Sequence, residues 1–120
     1  MASRLTIEEW DAGDVTILRL TGEMVLDDGD LAFRARIHDL VARGRLKVIL
    51  DLALVTYVDS AGVGMIAGKL KTLRERGGDM KLLNLNARSQ RLMGMMKLLI
   101  AFETFDDLEL AVASFGFKMG

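Results

Sequence analysis

Ser60 is the side chain of this sequence best placed to do chemistry. It follows Asp59 at the end of the stretch Lys47-Val-Ile-Leu-Asp-Leu-Ala-Leu-Val-Thr-Tyr-Val-Asp-Ser-Ala-Gly62, and the helical apolar pattern resumes only after Asp59. A hydroxyl there sits at the carboxyl edge of a sheet, where α/β proteins place their sites. As a nucleophile it would need an adjacent base. The one histidine, His38, is expected to lie exposed in the first helix, and Gly-x-Ser-x-Gly is absent. The segment Gly64-Met-Ile-Ala-Gly-Lys69 approaches a phosphate-binding loop, but it is one residue short and Leu70 stands where Ser or Thr is required. Glu23, Asp51 and Asp59 could gather at the sheet edge as a carboxylate site, although strand ends and helix caps explain them more simply. No catalytic residue is assigned, and the chain is not expected to be an enzyme.

Composition narrows the classes further. The 120 residues suit one domain, 1–120, and a 51% apolar content supplies a real core. Sixteen Lys and Arg against 17 Asp and Glu leave no basic excess for neutralising nucleic-acid phosphates. Without cysteine there is no disulfide framework, thiolate chemistry or Cys-based zinc site, and a single histidine excludes a His-rich metal centre. Arg4, Glu8, Glu9 and Asp11 interrupt the beginning of the chain, and no run reaches membrane-spanning length. A cytoplasmic protein with no cofactor and no membrane insertion is expected.

The elements that must position Ser60 follow from periodicity. Leu5–Trp10 and Val15–Thr21 read as two strands joined by Ala12-Gly13-Asp14, an antiparallel hairpin, with Gly22-Glu23 ending the second strand. Asp27, Asp28 and Asp30 crowd the start of a helix with Phe33, Ile37, Leu40 and Val41 inward and Gly44 beyond its end. Val48, Ile49, Leu50 and Leu52 form a strand buried on both faces. The next helix buries Val63, Ile66, Ala67, Leu70 and Leu73 and stops at Gly77-Gly78. Met80–Leu85 predicts a strand, Asn86 an N-cap, and Leu92, Met96 and Leu99 the buried side of a third helix. Phe102–Phe105 suits an edge strand, and Asp106-Asp107 a cap for a last helix with Leu108, Ala111, Val112 and Phe115 inward. This order predicts a single α/β domain with a mainly parallel sheet of four to five strands, an added N-terminal strand and about four helices.

Gly62, Gly64 and Gly68 place three glycines in the first turns of the helix that Ser60 opens, each costing roughly 1 kcal/mol relative to alanine. Such glycines lower the surface around the serine and suit close approach by another backbone. Met65 falls off the apolar stripe and is expected to be exposed, an adaptable contact for a partner. Met93, Met95 and Met96 cannot all share one narrow helical face, so at least one is expected to point outward.

Val48-Ile-Leu-Asp-Leu through Val58-Asp-Ser-Ala-Gly-Val-Gly64 resembles the signature of STAS domains, specifically the bacterial anti-sigma factor antagonists. Leu20-Thr-Gly-Glu-Met24, Arg76-Gly-Gly-Asp-Met-Lys81 and Phe105-Asp-Asp-Leu-Glu-Leu-Ala111 resemble further landmarks of that family, so the likeness spans nearly the whole chain. The chain departs from the family pattern at Val25, with Asp27 two residues later, and at Lys97. The resemblance implies a non-enzymatic binding module whose Ser60 is phosphorylated by an anti-sigma factor with a GHKL-type kinase fold and reset by a PP2C-type phosphatase. It implies a partner-binding face of Glu23, Asp27, Asp59, Ser60, Ala61, Gly62, Val63, Gly64, Met65 and Gly68. The alternative is a constitutive STAS subunit of a transport or signalling assembly, such as the small partner of a lipid-transport ATPase, in which Ser60 only caps or packs.

Overall fold

The computed structural model describes residues 5–25 and 28–116, the side chains of 28–30 excepted. Asp27, and the caps expected from Asp28 and Asp30, lie outside the described residues and side chains. The elements run β1 (Leu5–Ala12), β2 (Val15–Met24), α1 (Asp28–Ala42), β3 (Lys47–Val58), α2 (Ser60–Glu75), β4 (Asp79–Leu83), α3 (Ala87–Met95), a 3-10 turn (Leu99–Ala101), β5 (Thr104–Phe105) and α4 (Leu108–Ala113). They build one five-stranded sheet in the order β1-β2-β3-β4-β5. Only the β1–β2 hairpin is antiparallel, turning at Gly13 with φ +63°; β3, β4 and β5 each lie parallel to their neighbours. The expected fold class is therefore the observed one.

The alternation of strand side chains divides the core between two faces. Leu18, Leu20, Val48, Leu50, Met80 and Leu82 point to one face, where Phe33, Ile37 and Leu40 of α1, Val63, Ile66, Leu70 and Leu73 of α2 and Met93 of α3 close the main core. Ile17, Ile49 and Leu83 point to the other, where Ala111 of α4 completes a smaller cluster flanked by Leu108, Val112 and Phe115. Val48, Ile49, Leu50 and Leu52 are all buried, as a central strand between covered faces requires.

Several ends differ from expectation. Strand β2 does not stop at Gly22-Glu23 but continues to Met24, because register shifts after Arg19 and Gly22 let Thr21–Met24 pair with the β-branched and aromatic end of β3, Leu54–Val58. Strand β4 ends at Leu83, since Asn84 turns to φ +60°. Helix α3 ends at Met95, and Lys97 at φ +58° takes the chain out of helical geometry, so Leu99 belongs to a separate turn. Met93 is buried in α3, Leu92 and Met96 are half-buried, and Met95 points outward at 76% exposure. Strand β5 is two residues long and forms the sheet edge.

Asp51 is structural. It is buried on β3 and accepts from Arg19 Nε at 3.2 Å, from the Ala53 amide at 3.1 Å and from Asn84 Nδ2 at 3.3 Å, joining three parts of the chain. Asp51→Ala leaves these donors unpaired and is expected to cost about 1–2 kcal/mol in chemical denaturation, moderated because Arg19 reaches solvent. Asp51→Asn, which keeps an acceptor, should recover part of that loss.

Candidate functional site

Two hydrogen bonds fix the geometry around Ser60. Asp59 adopts an extended conformation (φ −94°, ψ 178°) as N-cap of α2, and its carboxylate accepts from the Gly62 amide at 2.7 Å. The Asp59 amide in turn donates to the Met24 carbonyl at 3.4 Å, tying the start of α2 to the end of β2. Ser60 is thereby held as the first helical residue, exposed at the carboxyl end of the central strand. Among the described residues its side chain makes no hydrogen bond or ion pair. Its hydroxyl is thus open to solvent, at the helix end whose free N–H groups favour negative charge.

The three glycines have different roles. A methyl group on Gly62 would overlap the main-chain carbonyl of Met24, so this glycine lets α2 sit directly on the end of β2. A methyl on Gly64 or Gly68 would meet nothing within 4 Å. Ser60, Ala61, Gly64 and Gly68 are exposed and share one side of α2 at i, i+1, i+4 and i+8, with Met65 at its border. This face is nearly bare of side chains. Gly64→Ala and Gly68→Ala should each stabilise the free domain by about 1 kcal/mol in a thermal or urea melt, because neither glycine repays its helical cost through internal packing.

The remaining expected site residues divide clearly. Val63, expected on the partner face, is 1% exposed and packs in the main core. Its spacing with Ile66 and Leu70 puts it on the inward stripe. Met65 is half-buried, packed against the same core rather than fully exposed. Glu23 lies opposite Tyr57 in the β2–β3 register, half-buried at the same end of the sheet. Asp51 is bound into the sheet interior, so Glu23, Asp51 and Asp59 form no common carboxylate site. Among the described residues no cluster of three or more His, Asp or Glu could hold a metal, and no helix is long and apolar enough to cross a membrane.

Tyr57 and Arg88 escaped the sequence reading. The Arg88 guanidinium lies 4.7 Å from the Tyr57 ring centre, joining the first turn of α3 to the last residues of β3. The two residues are far apart in the chain, and no local spacing in the sequence marks the pair.

Residues 10–111 match the STAS domain family. A protein of Paenibacillus polymyxa named anti-sigma F factor antagonist is 29% identical over 104 residues, covering 86% of this chain and 88% of that protein. The fold is shared with the crystal structure of an anti-sigma factor antagonist from Mycobacterium paratuberculosis (TM-score 0.80, 20% identity, 92% of each chain). It is also shared with the Bacillus cell fate determinant SpoIIAA in its phosphorylated form (TM-score 0.72, 21% identity, 92% of this chain and 98% of that one). With the family match covering most of the chain, including the whole of β3 and the Ser60 helix, the chain belongs to the STAS domain family.

Proposed function

We propose that this protein is an anti-sigma factor antagonist: a phosphorylation-switched module that holds an anti-sigma factor when Ser60 is unmodified and releases it when Ser60 is phosphorylated. The observation that carries the reading is the bare, exposed face of Ser60, Ala61, Gly64 and Gly68, whose two open glycines cost helix stability without any internal packing return. A partner backbone seated on that face supplies the missing reason. The Paenibacillus relative and the Mycobacterium structure bear the name of antagonist, and the Bacillus structure is of a phosphorylated form, which supports a modifiable binding surface.

The partner is an anti-sigma factor with a GHKL-type serine kinase fold, and a PP2C-type phosphatase removes the phosphate. Ser60 is the substrate of that kinase, and this chain contributes no catalytic group. The contact face comprises Glu23, Asp59, Ser60, Ala61, Gly64, Met65 and Gly68, with Gly62 and Val63 supporting it from beneath. The protein works in the cytoplasm. Gly64→Ala tests the face directly: it should weaken capture of the anti-sigma factor in a pull-down or titration while raising the melting temperature. A variant that melts higher and binds unchanged would contradict the assignment of this face.

A further inference from the structure

We infer that the groove between α1 and α2 binds an acidic polypeptide segment of a partner protein, at a position separate from Ser60. The groove has a volume of about 480 Å³ and is lined by His38, Val41 and Ala42 of α1 and by Thr72 and Arg76 of α2. Lys69 of α2 contacts the lining residue His38, with Nζ 3.2 Å from Nε2. Val41 and Ala42 give the groove an apolar part, and Arg76, with Lys69 beside His38, gives it positive charge.

Among the described residues that positive charge meets no carboxylate, unlike much of the surface. Arg19, Arg36, Arg43, Arg45, Lys47 and Arg74 each meet a carboxylate within 3.2 Å. Lys69 and Arg76 meet none among the described residues. The carboxylates next to His38 and Arg76 in the sequence pair with other cations, Asp39 with Arg43 at 2.7 Å and Glu75 with Lys71 at 3.9 Å. Lys69 instead lies against a ring nitrogen of His38, a weaker partner for an ammonium than the carboxylate an acidic segment would bring. A free inorganic anion would satisfy the cations but leave Val41 and Ala42 without a contact. A polypeptide segment with an apolar residue between acidic ones satisfies both.

The groove is distinct from the switch. Lys69 and Arg76 lie about 14 and 24 Å along α2 from Ser60. The groove meets the Ser60 face only near Gly68, whose carbonyl accepts from Thr72 Oγ1 at 3.1 Å.

The test is a titration of the ¹⁵N-labelled full chain, followed by NMR at low salt and neutral pH, with the peptide acetyl-Glu-Glu-Leu-Glu-Glu-Leu-amide. Saturable shifts of the Val41, Ala42, Thr72 and Arg76 amides are expected, and unchanged binding when Ser60→Asp is present. Lys69→Gln combined with Arg76→Gln should weaken binding about tenfold, with the spectrum itself reporting that the fold is intact. The inference is overturned by shifts confined to the Ser60 end, by equal binding of the Gln-for-Glu peptide, or by wild-type affinity in the double variant. It is equally overturned if inorganic phosphate saturates the same amides, which would mark a free-anion site. Loss of the Ser60 switch with groove binding intact would count against the proposed function and leave the groove standing.

Discussion

Ser60→Asp is expected to lower affinity for the anti-sigma factor by about a thousandfold, while Ser60→Ala binds at close to wild-type affinity and both variants keep the wild-type circular dichroism. A thousandfold corresponds to about 4 kcal/mol. The energy comes from adding negative charge to a nearly bare face that already carries the Asp59 carboxylate. Phosphate itself adds about −1.5 to −2 charges, which an apolar contact must desolvate. The Asp59 carboxylate stands beside it, already engaged by the Gly62 amide at 2.7 Å, and adds repulsion. Within the free domain the helix N-terminus favours the added charge by about 0.3–1 kcal/mol, so modification leaves the fold in place. Isothermal titration against the purified anti-sigma factor measures the difference. Equal affinity of Ser60→Ala, Ser60→Asp and wild type would instead mark a constitutive subunit, with Ser60 only opening a helix.

Gly62→Ala should be the most damaging single methyl in the site, costing about 3 kcal/mol of stability in urea denaturation. The added carbon would overlap the Met24 carbonyl, and both sides of that contact are constrained. Met24 is fixed in register with Val58 at the end of the sheet, and Gly62 lies in the first turn of α2 with its amide bound to Asp59. Relief requires α2 to move off β2, which also shifts Ser60. Gly62→Ala should therefore lose partner binding together with stability, whereas Gly64→Ala should lose binding while gaining stability. Opposite signs for two alanines two residues apart follow from burial alone, and melting curves of the pair show it.

This contrast shows where the sequence was legible and where it was not. The central strand could be read because Val48, Ile49, Leu50 and Leu52 are apolar on both faces, and the start of α2 because Asp59 has the chemistry of a cap. Both are local signals. Three glycines in one helix start were visible, but their separate roles were not, since Gly62 is explained by Met24, 38 positions earlier in the chain. Val63 seemed to belong to both the core stripe and the site, and only the packing of α2 on the sheet decides for the core. The run of β3 through Val58 likewise depends on its pairing with Thr21–Met24, and the end of α3 on the left-handed Lys97. Non-local pairing and backbone conformations rare for non-glycine residues carry little signature in a single sequence.

The central claim is that Ser60 is the substrate of the partner kinase, and phosphosite mapping tests it most directly. The purified protein is incubated with its cognate anti-sigma factor kinase and ATP, then digested and analysed by mass spectrometry. One phosphate per chain, on Ser60, is expected, with none on the Ser60→Ala variant. Phosphate on another residue with Ser60 unmodified, or no transfer from a kinase active on a control substrate, would contradict the account.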